Sequence, residues 1–325
     1  MRHPSDSKAW KHFNKTHPFF AAEPRNVRFG LCTDGFQPFG HSGRKYSSWP
    51  VIVTPYNFPP GMCMKEVYMF LTVIVPGPNN RKQKIDVYLQ PLIKELTLLW
   101  ETGVEAFDIS KKQNFQLRAA LMWTINDFPA YSMLSGWSTA GNLACPYCME
   151  EAQSFRLCHG GKTTWFDSHR IFPDHNHPFR RDRKNFHKGQ SIRRLPPPLR
   201  TGEEILKQIC ELGLRNVTDL DAEEVNGRIC RCYGWKKRSI FWDLPYWSSN
   251  MIHHNLDVMH IEKNIFDNVF NTNLNVDGKI KANTKAHEDM VNYCDRPQLA
   301  KNPIDGNYPK AAYTIEKIQK ISLFN

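Results

Sequence analysis

From Val27 the chain alternates: Val27, Phe29 and Leu31 interleave with Arg28, Gly30 and Cys32, a period of two that predicts a strand. That strand runs into Thr33-Asp34-Gly35, an acid at a strand-to-turn junction. A second strand is expected over WPVIVTP at residues 49–55, and a third over 66–75, stopped by Pro76-Gly77-Pro78. The period then changes. Val87, Leu89, Leu92, Ile93, Leu96, Leu99 and Trp100 recur at helical spacing, with Asp86 as the expected N-cap and Pro91 near the first turn. Residues 115–125 form an apolar, β-leaning run ending in Asn126-Asp127-Phe128-Pro129, again an acid just past a strand end. Before all this, residues 1–26 read as a loose lead-in with a short helix near 7–13. After it, a small helical stretch is expected at 203–212, helical periodicity returns strongly at 256–270, and the tail beyond residue 275 is polar and uninformative.

Three strands, a helix and a fourth strand predict an α/β, ribonuclease-H-like mixed sheet with flanking helices. In that layout the first and fourth strands are neighbours, which sets Asp34 beside Asp127. A third acid is then expected from a later helix. At roughly 100° per residue, Val258, Ile261, Ile265, Phe266 and Val269 share one face of the 256–270 helix, and Glu262 lies inside that stripe while Asp257 lies off it. A carboxylate facing a core is costly unless paired or metal-bound. Glu262 is therefore the expected third acid, with Asp257 in reserve and a buried pair with Lys or Arg as the competing role for Glu262. Clustered carboxylates supply the hard oxygen ligands that Mg²⁺ or Mn²⁺ takes, and two such ions activate a nucleophile and stabilise a leaving oxygen in phosphodiester cleavage.

Between the two parts of that pattern lies a stretch of different character. Cys145-Pro146-Tyr147-Cys148 presents two thiols on one turn, followed by His159, His169, His175 and His177. A Cys-x-x-Cys pair with downstream histidines suits a tetrahedral structural Zn²⁺, and the expected ligands are Cys145, Cys148, His169 and His177, with His159 in reserve. The competing reading is two buried, unligated cysteines with surface histidines. Cys230-x-Cys232 is too tight and lacks partners.

Composition adds a direction. The 325 residues carry 43 Lys and Arg against 32 Asp and Glu, a net charge of +11. Eleven of those cations stand against three Asp between residues 156 and 200, so one block holds most of the excess. A concentrated positive field favours nucleic acid over other partners, and Arg180, Arg181, Arg183, Lys184, Arg193 and Arg194 are the expected phosphate contacts. No apolar run is long enough for a membrane helix and the first residues do not form a secretory signal, so a protein kept in a reducing compartment is expected. There is no P-loop, dinucleotide fingerprint, nucleophile elbow or His-Glu-x-x-His motif.

These stretches together resemble the transposases of plant CACTA (En/Spm-type) DNA transposons. The resemblance rests on DSKAWKHFN at 6–14, LCTDGFQPF at 31–39, WPVIVTPYN at 49–57, IDVYLQPLIKEL at 85–96, LMWTINDFPAYSMLSGW at 121–137, ACPYC at 144–148, residues 175–180, and HNLDVMHIEKN at 254–264. It implies a ribonuclease-H-like catalytic domain with an acidic metal triad falling on Asp34, Asp127 and Glu262, and an inserted Cys/His element at Cys145, Cys148, His169 and His177, with His159 matching a recurrent histidine. Against the family's extent, the chain reads as a fragment.

The expected organisation is a lead-in at 1–26, the first part of the catalytic domain at 27–144, a Cys/His and basic insertion at 145–247, the helix of the third acid at 248–275 and a tail at 276–325. The expected function is Mg²⁺-dependent hydrolysis at transposon ends and strand transfer into target double-stranded DNA, in the nucleus; assembly into a homo-oligomer is left open by the sequence. The alternative is a non-catalytic, zinc-stabilised DNA-binding remnant. A nuclease of the same fold without strand transfer is the third option.

Overall fold

The computed structural model describes residues 2–39, 46–77, 84–186, 190–218, 234–276, 278–280 and 283–315. Cys230 and Cys232 lie outside the described residues. In chain order the elements begin with α1 (Lys8–Thr16), α2 (Pro18–Ala21), β1 (Val27–Thr33), β2 (Trp49–Pro55), β3 (Phe70–Val75), α3 (Ile85–Glu101), β4 (Val104–Asp108), β5 (Gln113–Leu117), β6 (Ala119–Asn126) and α4 (Phe128–Ser135). They continue with β7 (Phe155–Arg156), β8 (Thr163–Thr164), α5 (Pro178–Arg181), α6 (Gly202–Glu211), β9 (His254–Leu256), α7 (Val258–Asn273) and α8 (Thr284–Tyr293). The chain forms two compact units, Met1–Thr139 with Leu199–Asp257, and Ala140–Pro198 with Val258–Asn325.

The first unit is built on a five-stranded mixed sheet in the order β3-β2-β1-β6-β9. β1 and β2 pair antiparallel, as do β2 and β3, whereas β6 runs parallel to β1 and β9 parallel to β6. β6 (AALMWTIN) is buried along nearly its whole length, as its unbroken apolar run requires of a central strand covered on both faces. The run expected over 115–125 is in fact two strands, divided at Arg118. There the backbone N–H donates to Asn26 Oδ1 (2.8 Å) and the guanidinium donates to Glu101 O (2.7 Å), at the carbonyl end of α3. Gln113–Leu117 pairs instead with β4 as a separate hairpin. The third strand is likewise shorter than expected, because Glu66–Tyr68 forms a 3₁₀ turn.

Residues 1–26 are not a loose lead-in. Ser7 caps α1 by accepting the Trp10 N–H (3.1 Å), and α1 buries Ala9, Trp10 and Phe13. Phe13 packs edge-on against Phe20, Trp100 and Tyr246 at centroid distances of 5.5, 5.9 and 6.0 Å. Ala9, Trp10 and Phe13 give α1 one apolar face by their spacing, but spacing does not say which distant elements that face meets.

Residues 199–247 also pack with the sheet rather than with the Cys/His stretch. Tyr246 Oη accepts the Leu121 N–H of β6 (2.8 Å), and Asn250 donates to Met122 O (3.1 Å). Asp86 is not the N-cap of α3: it lies inside the first turn, fully buried, and accepts Lys237 Nζ at 2.7 Å. Pro91 falls inside α3 rather than in its first turn.

In the second unit the polar tail, uninformative in sequence, contains α8, capped by Asn283, which accepts the Ala286 N–H (3.0 Å). Its buried Asp289 accepts the backbone N–H groups of His159 (2.9 Å) and Gly160 (2.8 Å), tying the helix to the Cys/His stretch.

Candidate active site and metal centre

β1, β6 and β9 are consecutive, parallel neighbours, so their C-terminal ends lie along one edge of the sheet. Cys32 pairs with Ile125, and Asn126 with Leu256. The residue directly after each strand is an aspartate: Asp34, Asp127 and Asp257. Strand spacing of about 4.8 Å makes these three neighbours in a row. Ligand sites in open α/β sheets form at this carboxyl edge.

Asn126 holds the row together. Its side-chain oxygen accepts the Thr33 N–H (3.3 Å), its carbonyl accepts the Asp257 N–H (2.8 Å), and its amide donates to Thr124 Oγ1 (2.8 Å). Sequence reasoning passed over it; its position next to Asp127 was the available signal. Asp127 also caps α4, its Oδ1 accepting the Ala130 N–H at 2.9 Å, and Asp34 Oδ1 accepts the Gly35 N–H at 2.7 Å. The Cys32 thiol, open to solvent but ringed by protein, reports the local charge. The mass around it, and then the negative charges of Asp257 and Asp34, push it above the usual thiol range.

The helical-wheel case for Glu262 needs a buried apolar stripe. In the structure α7 has no buried residue, and Val258, Ile261, Ile265, Phe266 and Val269 are all exposed, as is Glu262. The desolvation cost that singled out Glu262 is therefore absent. Glu262 belongs to the second unit, whereas Asp34, Asp127 and Asp257 belong to the first.

In the second unit, Cys145, Cys148 and His169 bring their ligand atoms within 4.8 Å of one another, the one such group of three or more among the described residues. The turn is set by Met149 N–H donating to Cys145 O (2.9 Å), and the Cys148 N–H points at Cys145 Sγ (3.4 Å). Burial works to raise the Cys145 thiol, but His169 and the N–H groups of Cys148 and Tyr147 outweigh it and bring it down to about 7. Hydrogen bonding to Cys145 raises His169, and burial followed by the neighbouring Cys145 raises Cys148. A thiolate therefore forms more readily at Cys145 than at an ordinary thiol. The remaining expected ligand and the reserve stand outside this group: His177 Nδ1 accepts the Phe179 N–H as the cap of α5 (3.2 Å), and His159 Nδ1 lies 3.4 Å from a Glu288 carboxylate oxygen. His177 therefore does not join the three-residue group.

The basic block divides into internal and external cations. Arg180 is corrected from the phosphate contacts: it is 2% exposed and donates to the carbonyls of Pro173 (2.8 Å), Arg194 (2.8 Å) and Ile171. Arg170 is buried in the same manner among the carbonyls of Phe179, Asp182 and Gln190. Both guanidiniums satisfy backbone carbonyls of the loops and short helical turns around them. Arg194 pairs with Glu151. Arg181, Arg183, Lys184 and Arg193 are exposed.

A family model described as Transposase family tnp2 matches residues 1–212. The chain belongs to this family. No curated protein matches, and no solved structure matches. For a tnp2-family transposase the substrate is DNA, and the matched residues include both Asp34 and Asp127 and the whole Cys145, Cys148 and His169 group. The described helices contain none long and apolar enough to cross a membrane.

Proposed function

We propose that this tnp2-family chain is the catalytic core of a CACTA (En/Spm-type) cut-and-paste transposase, acting on double-stranded DNA in the nucleus by DDE-type chemistry. The observation that carries the reading is the row of Asp34, Asp127 and Asp257 at the ends of three adjacent parallel strands. The strand order and senses support a ribonuclease-H-like domain, interrupted by the Cys/His unit.

The donor chemistry suits Mg²⁺ or Mn²⁺, because all three groups are hard carboxylates at neighbouring strand ends; their oxygens do not converge to within 4.8 Å of one another, so bound ions would have to draw them together. Asp34, Asp127 and Asp257 would hold the ions, with Asp257 proposed as the third acid in place of Glu262. Such ions supply an activated nucleophile and neutralise the leaving 3′ oxygen. Asn126 keeps the three acids in register, which matters because misplacement by about 1 Å costs rate heavily. Exposed Arg181, Arg183, Lys184 and Arg193 hold phosphates and position the duplex without reading its sequence. Cys145, Cys148 and His169 would supply three of the four positions of a tetrahedral Zn²⁺ in the second unit.

The test is cleavage of supercoiled and linear duplex DNA by the full chain with Mg²⁺ or Mn²⁺. Asp34→Asn, Asp127→Asn and Asp257→Asn should each abolish cutting while preserving the folded state, and Glu262→Gln should cut. An active Asp257→Asn beside a dead Glu262→Gln returns the third role to Glu262. If the folded wild-type chain binds DNA but never cuts, the non-catalytic remnant replaces this reading. Cut products that are never joined to a target indicate a nuclease without strand transfer.

A further inference from the structure

We infer that the second unit carries a stacking platform for unpaired DNA bases, formed by Phe166, Phe179 and Phe186. The inference rests on the reading that the chain acts on DNA, and it names a strand state that reading leaves unspecified.

Phe166 and Phe179 are 44% and 56% exposed. Isolated exposed rings are ordinary, but these two are joined through Phe186, stacked on Phe166 at 5.7 Å and tilted against Phe179 at 6.1 Å. Phe186 in turn lies under the Arg170 guanidinium, 4.3 Å from its ring centroid. That guanidinium is locked by carbonyl oxygens of Phe179 (2.8 Å), Asp182 (3.0 Å) and Gln190 (3.1 Å). Phe186 is thereby anchored, and Phe166 and Phe179 lean on it, which lowers the conformational entropy that binding must overcome.

Charge selects the occupant. Exposed Arg181 lies two residues from Phe179, and exposed Lys184 two residues from Phe186, a chain distance of at most about 7 Å in each case. Ring faces flanked by cations are what a single strand needs, since its bases stack on aromatic side chains while its phosphates meet Lys and Arg. A duplex keeps its base faces inside the stack and would leave the phenylalanines unused. Strand cleavage and transfer expose unpaired ends, which gives such a platform a ligand.

The experiment is fluorescence anisotropy of the full chain, without divalent metal, on labelled oligo-dT and on a duplex of equal length. Phe166→Ala/Phe179→Ala should weaken oligo-dT binding by about tenfold or more and leave duplex binding unchanged. Phe166→Leu/Phe179→Leu keeps apolar bulk while removing the ring faces, so it should show the same selective loss with an unaltered thermal transition. Neutralising Arg181, Arg183 and Lys184 together should weaken both ligands. Unchanged oligo-dT affinity in the leucine pair, or equal losses on the two ligands, overturns the platform. Wild-type binding to duplex alone also overturns it and leaves the DNA reading standing; binding to neither ligand removes both.

Discussion

The backbone N–H of Asp257 donates to the carbonyl of Asn126 at 2.8 Å, which places the end of β9 beside the end of β6. The side chain of the same asparagine receives the Thr33 N–H, so one residue spans three strand ends. Replacing Asn126 by Ala leaves a buried N–H without its acceptor, at a cost of about 1–3 kcal/mol in stability. Cleavage should fall further than duplex affinity does, because the acids shift while the phosphate-binding cations do not. Equal losses in rate and affinity would assign Asn126 a purely structural role.

Zinc should be found at one ion per chain by elemental analysis of protein purified without added metal. Cys145→Ser/Cys148→Ser should lose it, together with the stability of the second unit. His177→Ala should keep the metal, since His177 caps α5 and stands outside the converging group. Loss of zinc in His177→Ala would make it the fourth ligand after all.

Arg180 and its exposed neighbours should separate cleanly. Arg180→Ala strands buried carbonyls and should lower the unfolding temperature, with no change in the salt dependence of DNA binding. Neutralising Arg181, Arg183 and Lys184 should do the reverse, reducing the log–log salt slope by about 0.9 for each phosphate that the protein no longer neutralises. Titrations at several salt concentrations distinguish the two behaviours, and an Arg180→Ala protein with normal stability and a flatter slope would contradict the assignment.

The buried Asp86–Lys237 pair makes stability depend on pH. Burial pushes Asp86 up to about 6 even though Lys237 pulls it down. An unfolded carboxyl near about 4 releases its proton first, so this group's contribution to stability falls as pH rises from about 4 to about 6. Lys237→Met removes the lowering charge and carries the Asp86 carboxyl higher still. The substitution should therefore cost least near pH 5, where Asp86 is protonated, and about 3–5 kcal/mol near pH 8, where the carboxyl without its lysine must either bury a lone charge or take up a proton. Urea unfolding across that range checks it; a cost independent of pH would contradict it.

Local periodicity alone determined β1, β2, α3 and α6 closely, because alternation and helical spacing are properties of a short window. It also located Asp34 and Asp127, since an acid after an apolar strand is visible in sequence. What local pattern cannot carry is which segments meet. The burial of α1 against Trp100 and Tyr246, the return of residues 199–257 to the sheet and the pairing of Asp86 with Lys237 all join residues far apart in the chain. The third acid shows the difference most directly. A helical wheel gives angles but not the neighbour each angle faces, so it favours Glu262 for a burial that α7 does not have. Asp257 joins the row only because β9, three residues long and too short to show a period, pairs beside β6. The basic block divides for the same reason: sequence counts every guanidinium as a surface charge, and only packed loops with unsatisfied carbonyls turn Arg170 and Arg180 inward.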